Sequence, residues 1–255
     1  MQLKVLKIGG NVLEGGQSPG AFLEVFAGLP GPKVLVHGGG VKATELARQL
    51  GVETKMVDGR RITSREMLGV VTMVYSGLNK ELTARLQRRG TKAVGLCGAD
   101  LGILPAVKRN HPEIDYGYAG DILEANIRAD VLMDLLKQDI TPVFAPLTFD
   151  AANGTLLNTN ADTVARSLAV ALSKHCEVEL IFCFEKPGVL MEVDNPASVI
   201  PEITPENFRE LTGQKIIVNG MIPKLHNAFE AIGKGVGSVR ITHFTQPNGG
   251  TLITA

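Results

Sequence analysis

The 255-residue sequence has no net charge and few cysteines. Its 26 basic and 26 acidic side chains balance without a block of like charge, which gives no electrostatic case for nucleic acid or an anionic membrane. Cys97, Cys176 and Cys183 show no CxxC spacing, which is typical of reduced, packed thiols. No apolar run approaches the roughly 20 residues that cross a bilayer, and the chain opens on a strand-like run rather than a leader. We therefore expect a soluble, cytoplasmic protein.

Several common catalytic motifs are also missing. The sequence contains no G-x-x-x-x-G-K-[ST], no H-E-x-x-H and no cysteine–histidine spacing of a metal site. P-loop enzymes and zinc proteases of the H-E-x-x-H type are thereby excluded. The five histidines are far apart, and we interpret each as packed or facing solvent.

Short apolar strands alternate with helices along the chain. The patterns predict strands at 3–8, 33–37, 93–97, 141–147, 178–184 and 238–244, and helices near 18–28, 41–50, 161–174, 203–211 and 221–232. An Asn-Gly turn predicts a hairpin over 149–158. Such alternation favours an α/β fold with a mainly parallel sheet covered on both faces. At this length we expect one domain or two joined lobes, with the boundary near residue 160.

Two glycine breaks follow the first two strands. In VLKIGGN (5–11), Lys7 precedes Gly9 and Gly10, and glycines let backbone N–H groups approach a phosphate beside a lysine. In VHGGGVKA (36–43), three glycines join a strand to a helix and predict a cradle for an anion or carboxylate. An edge lysine or a plain tight turn would also fit these patterns.

Polar residues mark two helix starts. Asn158 and Asn160 alternate in an extended segment, and Asp162 opens the next helix; Asn160 is a good N-cap. Lys224 lies in the first turns of the helix at 221–232, where the helix dipole opposes a cation unless an anion is present. The two lysines Lys7 and Lys224 therefore suggest a polyphosphate site.

Together, KIGGN, HGGGVKATELARQLG, DGRRIT, GADLG, LLNTNAD and NGMIPKL resemble the amino-acid kinase family over essentially the whole chain. Their order and spacing are most similar to those of members that phosphorylate an N-acylated glutamate. The resemblance implies a three-layer αβα sandwich with an open sheet. It also implies an N-terminal lobe (1–160) for acylglutamate binding and dimerisation, and a C-terminal lobe (161–255) for ATP.

The resemblance also implies roles for particular residues. Lys7 and Lys224 would contact the transferring phosphoryl group, and Asp162 would hold both lysines. The implied substrate residues are Gly39, Gly40, Arg61, Asn158 and Asn160. The implied ATP residues are Gly9, Gly10, Asn11, Glu185, Gly188 and Gly220. Glu185 lies in CFEKPGVL (183–190), where many relatives carry an aspartate before G-V-L.

The expected reaction is phosphorylation of the γ-carboxylate of N-acetyl-L-glutamate, the second step of arginine biosynthesis, with ATP and Mg²⁺. The segment DYGYAGDI (115–122) departs from the commoner G-F-V-G form, which leaves N-succinyl-L-glutamate as an alternative. The resemblance favours an arginine-insensitive homodimer with no nucleic-acid or membrane partner.

Other functions stay open at this point. Sister kinases act on glutamate, aspartate, carbamate or a nucleoside monophosphate. Gly38, Gly40 and Ala43, with Asp58 further on, fit the G-x-G-x-x-G/A pattern of an NAD(P)-dependent oxidoreductase. A ligand sensor without activity is a third alternative, although it needs no pair of phosphate-directed lysines.

Overall fold

A computed structural model of the chain describes residues 2–14, 18–57, 59–192, 194–217 and 221–255. The strands are β1 (Gln2–Ile8), β2 (Lys33–His37), β3 (Lys55–Val57), β4 (Arg60–Ile62), β5 (Ala93–Leu96), β6 (Ala106–Lys108), β7 (Gly120–Ile122), β8 (Thr141–Phe144), β9 (Leu147–Asp150), β10 (Thr155–Asn158), β11 (Glu177–Phe184), β12 (Glu202–Ile203), β13 (Ser238–His243) and β14 (Thr251–Ile253). The α-helices are α1 (Gly10–Glu14), α2 (Ser18–Gly28), α3 (Gly40–Gln49), α4 (Arg65–Gln87), α5 (Ala129–Lys137), α6 (Ala161–Ser173), α7 (Pro205–Gly213) and α8 (Ile222–Gly233). Short 3₁₀ turns cover Asp100–Gly102 and Glu124–Asn126.

Eight strands form one open sheet in the order β12-β14-β13-β11-β1-β2-β8-β5. Neighbouring strands run parallel, except that β13 and β14 are antiparallel. The pairs β3–β4, β6–β7 and β9–β10 form separate antiparallel ribbons. Strand β11 is buried from position 178 to 183, as a parallel strand covered on both faces requires.

Helices cover both faces of the sheet. Leu3 and Val5 pack into a core completed by α6 and α8, whereas Leu6 and Ile8 pack into a second core completed by α2 and α4. Because side chains alternate along a strand, Lys7 shares the face of Leu3 and Val5 and points towards α6. The predicted three-layer αβα sandwich is confirmed.

A hairpin and a helix cap that the sequence predicts are also confirmed. The predicted hairpin forms between β9 and β10, with Gly154 at φ 64° in its turn, a conformation that favours glycine. Thr204 caps α7: its hydroxyl accepts from the backbone N–H of Asn207, whose side chain accepts from the backbone N–H of Thr204. This reciprocal pair is a capping box.

The longest helix, α4, was not predicted. Its 23 residues contain Gly69 and Gly77 and a valine-rich segment between them, all of which weaken the helical signal. Ser64 caps it by accepting from the backbone N–H of Met67. Ten buried side chains of α4 pack against α3 and the sheet, so tertiary packing outweighs local propensity there.

Candidate active site

Lys7 stands near the end of β1 and forms an ion pair with α6. Lys7 is only 8% exposed, and its Nζ atom lies 2.8 Å from Oδ1 of Asp162. That oxygen is buried and accepts no well-aligned hydrogen bond from the described residues. The ammonium of Lys7 is therefore its main compensation for lost water.

Asn160 fixes the start of α6. Its Oδ1 atom accepts from the backbone N–H of Asp162 at 2.8 Å and from that of Thr163 at 3.2 Å. The N-cap expected from the sequence is confirmed. Because the cap orders the first turn of α6, it also holds Asp162 beside Lys7.

Lys224 lies at the start of α8 and meets Lys7 over one aromatic ring. Its Nζ atom is 4.0 Å from the ring centroid of Phe184, and that of Lys7 is 5.6 Å from the same centroid. Burial lowers the pKa of the Lys224 ammonium; Asp162 opposes this shift and Lys7 adds to it. Two cations share one carboxylate here, so an additional anion would be stabilised.

The two glycine breaks are in contact. The backbone N–H of Gly38 donates to the carbonyl of Ile8 at 2.9 Å, and a Cβ atom added to Gly38 would lie 2.9 Å from the backbone nitrogen of Gly10. A Cβ atom on Gly9 would lie 3.8 Å from Nζ of Lys7. Glycine at position 38 therefore permits the close approach that places the second break beside Lys7.

Arg61 lies on β4 with its guanidinium beside the second glycine break. Nη2 donates to the carbonyl of Gly40 and to the hydroxyl of Thr44, both at 2.9 Å. Nη1 is buried and has no hydrogen-bond partner among the described residues. A buried donor without a partner is costly, and a carboxylate ligand would satisfy it.

Asn158 lies at the end of β10, next to these groups. It is 8% exposed, and its Nδ2 atom donates to the hydroxyl of Thr63 at 3.0 Å. Its backbone N–H donates to the carbonyl of Tyr118 at 2.9 Å, so the segment around residue 118 borders the same place.

His37, at the end of β2, contacts the second glycine break through the carbonyl oxygen of Gly38. It is fully buried, with Nδ1 2.7 Å from the carbonyl oxygen of Gly38 and Nε2 3.2 Å from Nδ2 of Asn79. Burial lowers its pKa to about 4, although the hydrogen bond to Gly38 opposes the shift. The ring is therefore neutral at physiological pH, and the interpretation of this histidine as packed is confirmed.

These groups surround a cavity of about 220 Å³, which we call the central cleft. Its lining includes Lys7, Gly10, Gly38, Gly39, Gly40, Arg61, Asn158 and Asn160. Lys7 adjoins the Asp162–Lys224 cluster, and Arg61 supplies a second cation. The central cleft is therefore suited to a small molecule with two anionic groups, one at each cation.

Two other predicted ATP residues, Glu185 and Gly188, do not line the central cleft. Glu185 is exposed and directly follows Phe184. Gly188 is buried, and a Cβ atom there would lie 2.8 Å from Oγ1 of Thr251, so close packing accounts for this glycine. Gly220, like Asp58 of the dinucleotide pattern, lies outside the described residues, as does the side chain of Asn11.

Sequence reasoning missed several residues of the site. Arg60 and Tyr75 both line the central cleft. Burial raises the pKa of the Tyr75 hydroxyl, and Arg61 opposes that shift, which places the two side chains together. Tyr75 belongs to the helix that was not predicted, but Arg60 stands beside Arg61 in DGRRIT and could have been considered.

No group of three or more histidine, cysteine, aspartate or glutamate side chains in the described ranges is arranged to hold a metal ion. Likewise, no helix within those ranges is long and apolar enough to cross a membrane.

The chain belongs to the amino acid kinase family, whose sequence model matches residues 2–243. It is 50% identical over 251 residues to a protein named acetylglutamate kinase from Phocaeicola vulgatus, covering 98% of this chain and 96% of that protein. It is 52% identical over 246 residues to a protein of the same name from Parabacteroides distasonis, covering 96% and 95%. Among solved structures, smu.665 from Streptococcus mutans UA159 superposes with a TM-score of 0.78 at 29% identity, covering 99% of this chain and 98% of that one.

Proposed function

We propose that the protein transfers the γ-phosphoryl group of ATP to the γ-carboxylate of an N-acylated L-glutamate, with N-acetyl-L-glutamate as the substrate that its relatives indicate. This reaction is the second step of arginine biosynthesis. The observation that carries the proposal is the pairing of Lys7 and Lys224 around Asp162 at one end of the central cleft. Relatives of that activity at about 50% identity over nearly the whole chain support it.

The nucleophile needs no general base. A glutamate side chain has a reference pKa of about 4.3, so the γ-carboxylate is ionised at neutral pH. Catalysis then depends on alignment and on stabilising the charge of the transferring phosphoryl group. Lys7 and Lys224 provide that stabilisation, and Asp162 positions Lys7 through its 2.8 Å contact.

The α-carboxylate of the substrate belongs at the other end of the central cleft. Arg61 has a buried Nη1 donor without a described partner, and Nη2 already fixes the guanidinium to Gly40. Asn158 lies within the same lining. With the α-carboxylate held there, the γ-carboxylate points towards Lys7. The N-acyl group keeps the α-amine from attacking the activated γ-carbonyl.

The charged end of the cleft also fits ATP. Two ammonium groups and the break at Gly9 and Gly10 suit a polyphosphate, and Asn11, Glu185, Gly188 and Gly220 remain predicted nucleotide contacts. Mg²⁺ would enter with ATP, because it bridges phosphate oxygens. We assign no protein side chain to it.

We also infer a cytoplasmic homodimer, on the strength of the family resemblance. The lobes divide near residue 160, between the end of β10 and the cap of α6. They share one sheet, because β1 of the N-terminal lobe pairs with β11 of the C-terminal lobe. Sizing in solution with and without arginine tests the assembly, and a hexamer would contradict it.

Trapping the acyl phosphate with hydroxylamine tests the reaction. With MgATP, N-acetyl-L-glutamate should give a hydroxamate together with stoichiometric ADP, whereas L-glutamate, L-aspartate and carbamate should not. A hydroxamate with one of those three, and none with any acylglutamate, would assign the protein to a sister activity of the family. Stabilisation by NAD rather than by MgATP in a thermal melt would instead favour the oxidoreductase.

A further inference from the structure

A second cavity of about 660 Å³ lies next to the central cleft, and Arg60 lines both. The second cavity is bordered by β7, the turn at Glu124–Asn126 and the facing sides of α6 and α8. None of the roles described above uses it. Because Arg60 lines both cavities, a substituent too long for the central cleft would extend past Arg60 into the second cavity.

The charges within the second cavity are almost fully paired with one another. Its ion pairs join Arg109 to Asp121 (2.7 Å), Arg166 to Glu124 (3.1 Å) and to Glu230, and Lys234 to Glu124 and Glu230 (both 2.9 Å). Three carboxylates are thus matched by three cations before Arg60 is counted.

Arg60 is the additional cation. Its side chain is half-buried and forms no hydrogen bond or ion pair with any residue that the structure describes. Burial lowers the pKa of its guanidinium; Arg109 lowers it further, and Asp121 opposes the shift. Arg109 also has a buried Nε atom without a partner in the described ranges. Unmatched cationic donors at this place favour an anionic ligand group.

The acyl group of the substrate is the group that would reach Arg60. With the α-carboxylate at Arg61 and the γ-carboxylate at Lys7, the N-acyl group would lie against the side of the central cleft that includes Ala119. Ala119 forms a β-bridge with Asn158, and its carbonyl accepts at 2.8 Å from the backbone N–H of Arg109, a residue that lines the second cavity.

We propose that Arg60 recognises a terminal carboxylate on the acyl group, so that a glutamate bearing a dicarboxylic acyl group is a better substrate than one bearing an uncharged acyl group. This inference rests on the proposed function. The two-carbon acetyl group ends in a methyl group and has no terminal carboxylate. The four-carbon succinyl group ends in one. Arg60 is thus a specificity-determining residue rather than a catalytic one.

Three probes separate charge from length: the N-acetyl, N-butyryl and N-succinyl derivatives of L-glutamate. Butyryl matches succinyl in carbon number but ends in a methyl group. Hydrogen bonds to a charged group are worth roughly 1.5–3 kcal/mol, so kcat/KM for succinyl should exceed that for butyryl by about 10–100-fold. Equal values for these two would refute recognition of the charge.

An Arg60→Gln variant tests the residue. We expect the succinyl-to-butyryl ratio of kcat/KM to fall by about tenfold or more, since glutamine keeps a polar group but loses the charge. Arg48→Gln, an exposed arginine on α3, is the matched control and should keep the wild-type ratio. An unchanged ratio in the Arg60 variant would overturn the assignment. If that variant does not fold, the comparison of probes on the wild-type enzyme still decides the question.

Failure of the two proposals can be told apart. Turnover of N-acetyl-L-glutamate without a preference for the succinyl derivative would refute only the role of Arg60. No turnover of any of the three acylglutamates would refute the proposed function, and this inference with it.

Discussion

Acidification should destabilise the fold through one buried histidine. His37 is fully buried, and its two ring nitrogens contact the carbonyl oxygen of Gly38 and the Nδ2 donor of Asn79. These contacts assign the proton to Nδ1, because Nε2 must accept from the amide. A second proton, on Nε2, would point at the Nδ2 donor of Asn79 instead of leaving Nε2 free to accept from it. Burial therefore lowers the pKa to about 4 from the ordinary 6.5.

The sign and size of the effect follow from proton binding. The unfolded chain takes up this proton near pH 6.5 and the folded chain only near pH 4, so the stabilisation is complete above 6.5 and is lost as the pH falls to 4. At about 1.4 kcal/mol per pKa unit, the total loss is about 3 kcal/mol, of which about 2 kcal/mol has gone by pH 5. That is a large share of the roughly 5–15 kcal/mol typical of a folded protein.

Urea denaturation at pH 7.5, 6.0 and 5.0 measures the loss. We expect wild type to lose about 2 kcal/mol more than a His37→Gln variant between pH 7.5 and 5.0, because glutamine does not titrate. His175→Gln, at an exposed position, is the control and should follow wild type. Parallel losses in wild type and His37→Gln would refute the assignment of a neutral, buried ring.

Three further changes probe the site and the scaffold. Gly38→Ala should cost about 1–3 kcal/mol in urea denaturation and raise the KM for both substrates, because its Cβ would lie 2.9 Å from the nitrogen of Gly10; unchanged stability would contradict that close contact. Thr204→Ala should cost about 1 kcal/mol through loss of the cap while kcat stays the same, and a kcat change would contradict a purely structural role. Asp162→Asn should move the alkaline limb of the kcat–pH profile to lower pH, because the carboxylate no longer opposes the burial that lowers the pKa of Lys224. A limb that stays in place would show that Lys224 does not govern it.

The parts of the fold that local signals determine were predictable. The strands that precede the two glycine breaks are short and largely apolar, and Asn160 has the residue type and position of an N-cap. The pairing of Lys7 with Asp162 was expected from the family resemblance, and the structure adds its reason. The lysine lies on the sheet face that α6 covers.

The parts that depend on distant contacts were not predictable from local patterns. Helix α4 is specified by packing against α3 and the sheet. Tyr75 lies on this helix, so its place in the lining of the central cleft could not be predicted without it. Gly188 is glycine in a loop that resembles a nucleotide loop, yet a Cβ atom there would meet Thr251, a residue 63 positions later. The exposed Val41 on α3 contrasts with buried Ala43 on the same helix, because α4 packs closely against small residues.

The rate of a Lys224→Ala variant tests the central claim most directly. If Lys224 stabilises charge that develops on the transferring phosphoryl group, kcat should fall by about 100–1,000-fold while KM for N-acetyl-L-glutamate changes by less than about threefold. Lys137→Ala, which removes an exposed lysine of α5, should leave both constants at the wild-type values. A Lys224→Ala enzyme that keeps its kcat and loses only affinity would contradict the account.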